Sequence, residues 1–120
     1  MPIGMPSRFP KEPSVYILAS NRDGVLYIGV TSNAWERVSE HKQGLIEGFT
    51  SKYEVHTLVY IEFFETMDEA IKREKGLKKW NRMWKVRLIQ QSNPEWRDLW
   101  LPSGELLMYG PGGRAPIDEE

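Results

Sequence analysis

At 120 residues the chain has room for one domain with a modest core and not for two. An apolar share of 40% beside 28% charged residues is ordinary for a globular chain, and the lack of cysteine excludes disulfides, zinc–thiolate sites and thiol nucleophiles. A net charge of −1 excludes a generic attraction to polyanions, so any nucleic-acid contact must come from how the charge is distributed.

Residues 1–12 hold three prolines and little apolar periodicity and are expected to form a flexible leader. No apolar run approaches the roughly 20 residues that span a bilayer, and the first residues carry prolines where a signal peptide has its apolar segment, so a cytoplasmic protein is expected. Ser14 to Gly29 then reads as a β-hairpin. Two runs rich in β-branched and aromatic residues flank Asn21–Gly24, whose Asp23-Gly24 pair is a strong turn signal. With that loop, Ser20 faces Val25, Leu18 faces Tyr27 and Tyr16 faces Gly29. Period-two alternation puts Tyr16, Leu18, Tyr27 and Gly29 on one face, with glycine leaving space opposite Tyr16. A slip of one residue would separate the tyrosines, so their convergence depends on this register.

Thr31-Ser32-Asn33 offers N-caps for a helix from about Ala34 to Gln43, with Gly44 as its stop. Ala34, Val38, His41 and Leu45 fall on one face of it. Arg37 lies at the edge of that face and sits one turn from His41, so the two can address the same point. A buried guanidinium needs an anionic partner, whereas a histidine on an inward face is more often a packed core residue than a catalytic one. Gly48 to Glu54 reads as a loop. Thr57 to Glu65 is a third strand whose continuous apolar run calls for burial on both faces.

Thr66, with Glu69 three residues later, caps the next helix, which carries Met67, Ala70, Ile71 and Leu77 on one side. Helical geometry projects Glu74 into the middle of that apolar arc. An inward carboxylate is costly unless it is paired or holds a metal, and both a salt bridge to Arg37 and a bound cation answer the need. Between Lys72 and Arg87 there are eight basic residues and one acid, Glu74. Lys72, Lys75, Lys78, Lys79 and Arg82 are therefore candidate nucleic-acid contacts, although a lysine-rich helix face is commonly just solvated. Gly76 or the Trp80-Asn81 junction should break the helix. A last helix from Arg82 to about Gln91 would bury Trp84, Leu88 and Ile89 and stop at Asn93-Pro94. Trp96, Leu99 and Trp100 should pack back on the body, giving a domain over residues 13–100. Residues 101–120, rich in glycine, proline and acids, are expected to be a flexible tail.

A tyrosine pair on a hairpin, an Arg-x-x-x-His helix and an inward glutamate together resemble the GIY-YIG nuclease family, in particular small single-domain bacterial members similar to the catalytic module of excinuclease C. The resemblance covers about Pro13 to Leu99. Val15-Tyr16 stands in the first signature with Ser14 in place of the usual glycine; Tyr27-Ile28-Gly29 keeps the second intact. Arg37 and His41 match the helix motif, and Glu74 matches the metal-binding glutamate. The family's late asparagine has two candidates, Asn81 and Asn93, each with a cap or turn reading of its own. The resemblance implies an α+β fold, a small three-stranded antiparallel sheet flanked by helices. It also implies Mg²⁺- or Mn²⁺-dependent endonucleolytic hydrolysis of DNA, structure-selective as in repair or recombination, with Glu74 as the metal ligand. Arg37 would meet the phosphate, one tyrosine, Tyr27 in preference to Tyr16, would act as base, and His41 would orient a tyrosine or assist it. Such nucleases generally take their targets from appended modules, so a targeting protein partner is expected.

Two other function classes fit the chain. One is a non-catalytic nucleic-acid-binding module on the same scaffold. The other is an interaction domain that uses Trp80, Trp84, Trp96 and Trp100 as a partner surface.

Overall fold

The computed structural model describes residues 5–21, 24–45 and 53–108. Its centre is a three-stranded antiparallel sheet built from β2 (Ser14–Ala19), β3 (Leu26–Thr31) and β4 (Thr57–Phe63), in the order β3-β2-β4. The helices that flank it are α1 (Ala34–Lys42), α2 (Met67–Lys79) and α3 (Arg82–Ser92). The fold is the α+β architecture expected, a small antiparallel sheet with helices on both faces.

The hairpin closes in the expected register. The Ser20 amide donates to the Val25 carbonyl at 3.0 Å, and Leu18 and Tyr16 pair with Tyr27 and Gly29. Because β2 is the central strand, all six of its residues are buried and its two faces feed two separate cores. Tyr16 and Leu18 join Ala34, Val38, Leu58, Ile61 and Phe63 on the α1 side. Val15, Ile17 and Ala19 join Val59, Tyr60, Ala70, Leu77, Leu88 and Ile89 on the α2–α3 side. A β-bulge opposite Ile17 and Leu18, where β4 carries the extra residue Val59, lets Val59 and Tyr60 both serve the second core.

The helix boundaries follow their caps. Asn33 accepts from the Glu36 amide, Thr66 from Glu69 and Asn81 from Trp84, so each helix starts where a side-chain oxygen meets an unpaired amide. Gly76 lies inside α2, and the break falls at Trp80-Asn81. Two inward placements expected from the sequence differ in the structure. Leu45 is 65% exposed, because α1 ends at Lys42 and Gly44 turns the chain at φ +74° before Leu45 can continue the helical face. Trp84 is 52% exposed: Leu88 and Ile89 fill the inward side of α3, and Trp84, in the first turn, meets the Trp80 ring edge-on instead.

The segments expected to be a flexible leader and tail contain a second, two-stranded sheet. β1 (Met5–Arg8) pairs antiparallel with β5 (Glu105–Met108). Phe9 and Leu106 are buried beneath it in the α1-side core, which holds an otherwise marginal pair of short strands in place. Residues 1–4 and 109–120 lie outside the described residues, as do most of the expected Gly48–Glu54 loop and Arg22-Asp23 of the hairpin loop. Trp96 and Leu99 are buried, and Trp100 stacks on Trp35 with ring centroids 5.2 Å apart. Asp98 joins this region to the sheet, accepting from the Leu58 and Trp100 amides at 3.1 Å each and pairing with Lys42 at 2.5 Å. Among the described residues no helix is long and apolar enough to cross a membrane.

Candidate functional site

Tyr16 and Tyr27 project from neighbouring strands onto the α1 face of the sheet, with ring centroids 6.3 Å apart. His41, on the inward side of α1, completes a triangle of rings, 5.8 Å from Tyr16 and 5.3 Å from Tyr27. The Tyr16 hydroxyl and His41 Nε2 share a buried hydrogen bond of 3.0 Å. Gly29 makes this possible. A β-carbon there would lie 2.9 Å from Tyr16 Cε1 and nearer still to Cζ and the hydroxyl, so the phenol occupies the space that a side chain at position 29 would need.

Burial governs the titration of the pair. It pushes the Tyr16 phenol well above its ordinary value, reinforced by Tyr27 and by the Glu74 carboxylate, while a hydrogen bond from Arg37 acts in the opposite direction. Burial also pulls His41 down to about 4, helped by the positive charge of Arg37. At neutral pH the site therefore holds a neutral imidazole beside a protonated Tyr16.

Arg37 stands one turn before His41 on the half-buried edge of α1. Its anionic partner is Glu40, at 3.3 Å, and not Glu74. Of the two readings offered for Glu74, the salt bridge to Arg37 is not made: Arg37 and Glu74 each pair within their own helix, because Glu40 lies three residues after Arg37 and Lys78 four after Glu74. The Glu40 pairing is a contact that this spacing could have disclosed.

Glu74 faces inward as the helical arc predicts. Its side chain is 12% exposed, and Lys78 Nζ lies 2.7 Å from its carboxylate. Its negative charge is one of the influences that raise the Tyr16 phenol. Among the described residues no three His, Cys, Asp or Glu side chains gather as a metal-ligand cluster, so a cation here would have Glu74 as its protein carboxylate and water for most of its shell.

The basic stretch is exposed at Lys72, Lys75, Lys78, Lys79 and Arg82. Lys78 is engaged by Glu74, and Arg82 donates to the Gly24 carbonyl at 2.6 Å, fixing the start of α3 to the hairpin loop. Arg73 points elsewhere: its guanidinium binds Glu62 at 3.0 Å and lies over the Trp80 ring. Asn81 caps α3. Asn93 is fully buried and donates to the Val59 and Arg97 carbonyls, so both asparagine candidates have structural employment.

A family model described as the GIY-YIG catalytic domain matches residues 12–87, a span that contains both tyrosines, Arg37, His41 and Glu74. The chain belongs to the GIY-YIG family. Within it the similar curated relatives are UPF0213 proteins of Staphylococcus aureus, among them those of strains Mu3, Mu50 and N315. Each is 39% identical over 77 residues, which is 64% of this chain and 93% of the relative. A solution structure of a UPF0213 protein from Bacillus halodurans is 27% identical, with a TM-score of 0.46, covering 72% of this chain and 90% of that one. The match thus places this GIY-YIG domain with the UPF0213 branch. The GIY-YIG model ends at residue 87, before Asn93 and the Trp96–Trp100 segment that seals the core.

Proposed function

We propose that this chain binds DNA across the face formed by Tyr16, Tyr27, Arg37 and Glu74 and hydrolyses a phosphodiester bond there, as a divalent-metal-dependent endonuclease. The observation that carries this reading is the ring triangle of Tyr16, Tyr27 and His41 with Arg37 at its edge. Binding a polyanion needs cations alone; it does not need a phenol hydrogen-bonded to a neutral imidazole beside a second phenol.

The residues divide the work by their surroundings. Tyr16, buried, bonded to His41 and held protonated, is poorly suited to accept a proton and instead fixes the wall of the site. That leaves Tyr27 as the group that takes the proton of the attacking water. His41 fixes the orientation of Tyr16. Arg37 turns its fork to the phosphate as charge builds in the transition state, at the expense of its exposed pair with Glu40.

Glu74 suits Mg²⁺ or Mn²⁺ in the mode that uses one carboxylate and retained waters, and Lys78, whose side chain is 55% exposed, is long enough to swing clear of it. A bound cation would supply positive charge to the phosphoryl group and the leaving oxygen. Lys72, Lys75 and Lys79, exposed on the same helix as Glu74, would track the neighbouring phosphates. Structure-selective substrates and a targeting protein partner belong to the same proposal.

One observation favours a second reading, binding without turnover: Glu74 is neutralised by Lys78, and among the described residues no larger ligand cluster accompanies it. The test is the wild-type chain with single-stranded, nicked, branched and duplex DNA in Mg²⁺, in Mn²⁺ and in EDTA. Cleavage with either metal and none in EDTA is the result expected. Tight binding with no cleavage in either metal supports the second reading, and no binding at low salt overturns both.

A further inference from the structure

Trp84 and Trp80 form an aromatic surface that the hydrolytic site does not use. We propose that Trp84, backed by Trp80, is a platform on which an unpaired base of the nucleic acid stacks, so that the chain prefers strands with unpaired bases. This inference rests on the nucleic-acid reading above and names the kind of strand that reading accepts.

Trp84 is 52% exposed on the first turn of α3, beside Met83 at 59%. Exposed as it is, the ring is not loose. Trp80 meets it edge-to-face, with centroids 5.8 Å apart and planes at 88°. Trp80 is held in turn by the Arg73 guanidinium 5.4 Å from its ring, and Arg73 by Glu62 at 3.0 Å. A half-exposed tryptophan packed at right angles to a fixed neighbour presents ring surface to solvent in an orientation set in advance. That is what base stacking requires, and it is sequence-tolerant because every base has such a face.

The charge around the platform selects the occupant. Lys79 precedes the Trp80–Trp84 pair and Arg87 lies one helical turn after Trp84; both are exposed, with no ion-pair partner among the described residues. A polyanion complements that surface, whereas a purely apolar partner would leave these cations facing it unpaired. The platform is also tied to the elements that carry the proposed site. Trp80 directly follows α2, six residues and roughly 9 Å of helix rise beyond Glu74. Arg82 ties the start of α3 to the loop between the strands that carry Tyr16 and Tyr27. Inside a duplex the faces of the bases are covered by their neighbours, so only an unstacked base can reach Trp84.

The experiment measures binding of the full chain in EDTA, by fluorescence anisotropy, to three labelled probes of equal length: a single strand, the same strand with abasic sites throughout, and a blunt duplex. Wild type is expected to bind the single strand more tightly than the abasic strand. Trp84→Ala should weaken single-strand binding about tenfold, towards the abasic value, and leave the other two probes unchanged; Trp84→Phe should keep most of the affinity. The side chain is exposed, so an unchanged melting temperature shows that the variant is folded. Equal wild-type binding of single and abasic strands overturns the proposal while the nucleic-acid reading stands, as does a Trp84→Ala variant with wild-type single-strand affinity. Loss of a wild-type dimer in Trp84→Ala, with single-strand affinity intact, would assign the surface to a second copy of this chain and overturn the platform. Failure of wild type to bind any of the three probes removes the nucleic-acid reading itself.

Discussion

Gly29→Ala tests the geometry of the ring cluster at its tightest point. Within a strand, replacing glycine by alanine ordinarily stabilises by roughly 0.5–1 kcal/mol through a smaller loss of chain entropy. Here the added methyl would meet the Tyr16 ring, with Cε1 at 2.9 Å, about half an ångström or more inside comfortable carbon–carbon contact. Tyr16 is 1% exposed and bonded to His41, so the ring can move only by shifting packed neighbours and stretching a 3.0 Å hydrogen bond. Overpacking of this kind costs about 1–3 kcal/mol, and a weakened buried hydrogen bond about 1 more. The net expectation is a loss near 2 kcal/mol, or roughly 10 °C in melting temperature for a domain of this size. Urea unfolding followed by tryptophan fluorescence should show a lower midpoint with an unchanged slope, since the surface exposed on unfolding is the same. A variant as stable as wild type, or more so, would refute the claim that the phenol needs the space at position 29.

The exposed basic face yields a second expectation. Lys75→Glu with Lys79→Glu avoids Lys78, whose pairing with Glu74 would confuse the result, and should weaken binding to all DNA sequences alike. The salt dependence of log K should flatten by about 0.9 in slope for each phosphate that the chain no longer neutralises, and an unchanged slope in salt titrations would reduce this face to solvated surface. His41 yields a third. Its folded value near 4 lies below the ordinary histidine value of 6.5, so the unfolded chain binds the extra proton between them. The neutral-histidine contribution is complete above about pH 6.5 and declines as pH falls toward 4. Urea midpoints measured across that window should fall less steeply for His41→Gln than for wild type, and parallel profiles would contradict the buried neutral imidazole.

The parts of the fold that could be read from the sequence are those set by local signals that agree with one another. Asp23-Gly24 between alternating strands marks a register that brings Tyr16 opposite Gly29, and side-chain caps at Asn33, Thr66 and Asn81 mark three helix starts. The inward position of Glu74 follows from helical periodicity alone. What could not be read depends on contacts between segments far apart in the chain. Four-residue strands beside prolines carry no pattern of their own, and β1 and β5 exist because Phe9 and Leu106 have a core to enter. Trp84 has the spacing of an inward residue, yet whether the first turn of a helix meets the body depends on where Trp80 sits. Arg37 and Glu74, for which a mutual salt bridge was one of two readings, pair instead with an opposite charge one turn away on their own helices.

Glu74→Gln, assayed separately for DNA binding and for cleavage, tests the central claim most directly. Glutamine keeps the size and hydrogen-bonding capacity of the side chain, and Lys78, being 55% exposed, regains water when its partner loses charge, so the fold should survive. A neutral amide is a poor anchor for a hard cation. The expected result is binding within about twofold of wild type with cleavage in Mg²⁺ slowed at least roughly a hundredfold, a barrier increase near 2.7 kcal/mol. Cleavage by Glu74→Gln at the wild-type rate would contradict the assignment of Glu74 and the ring cluster as the hydrolytic site.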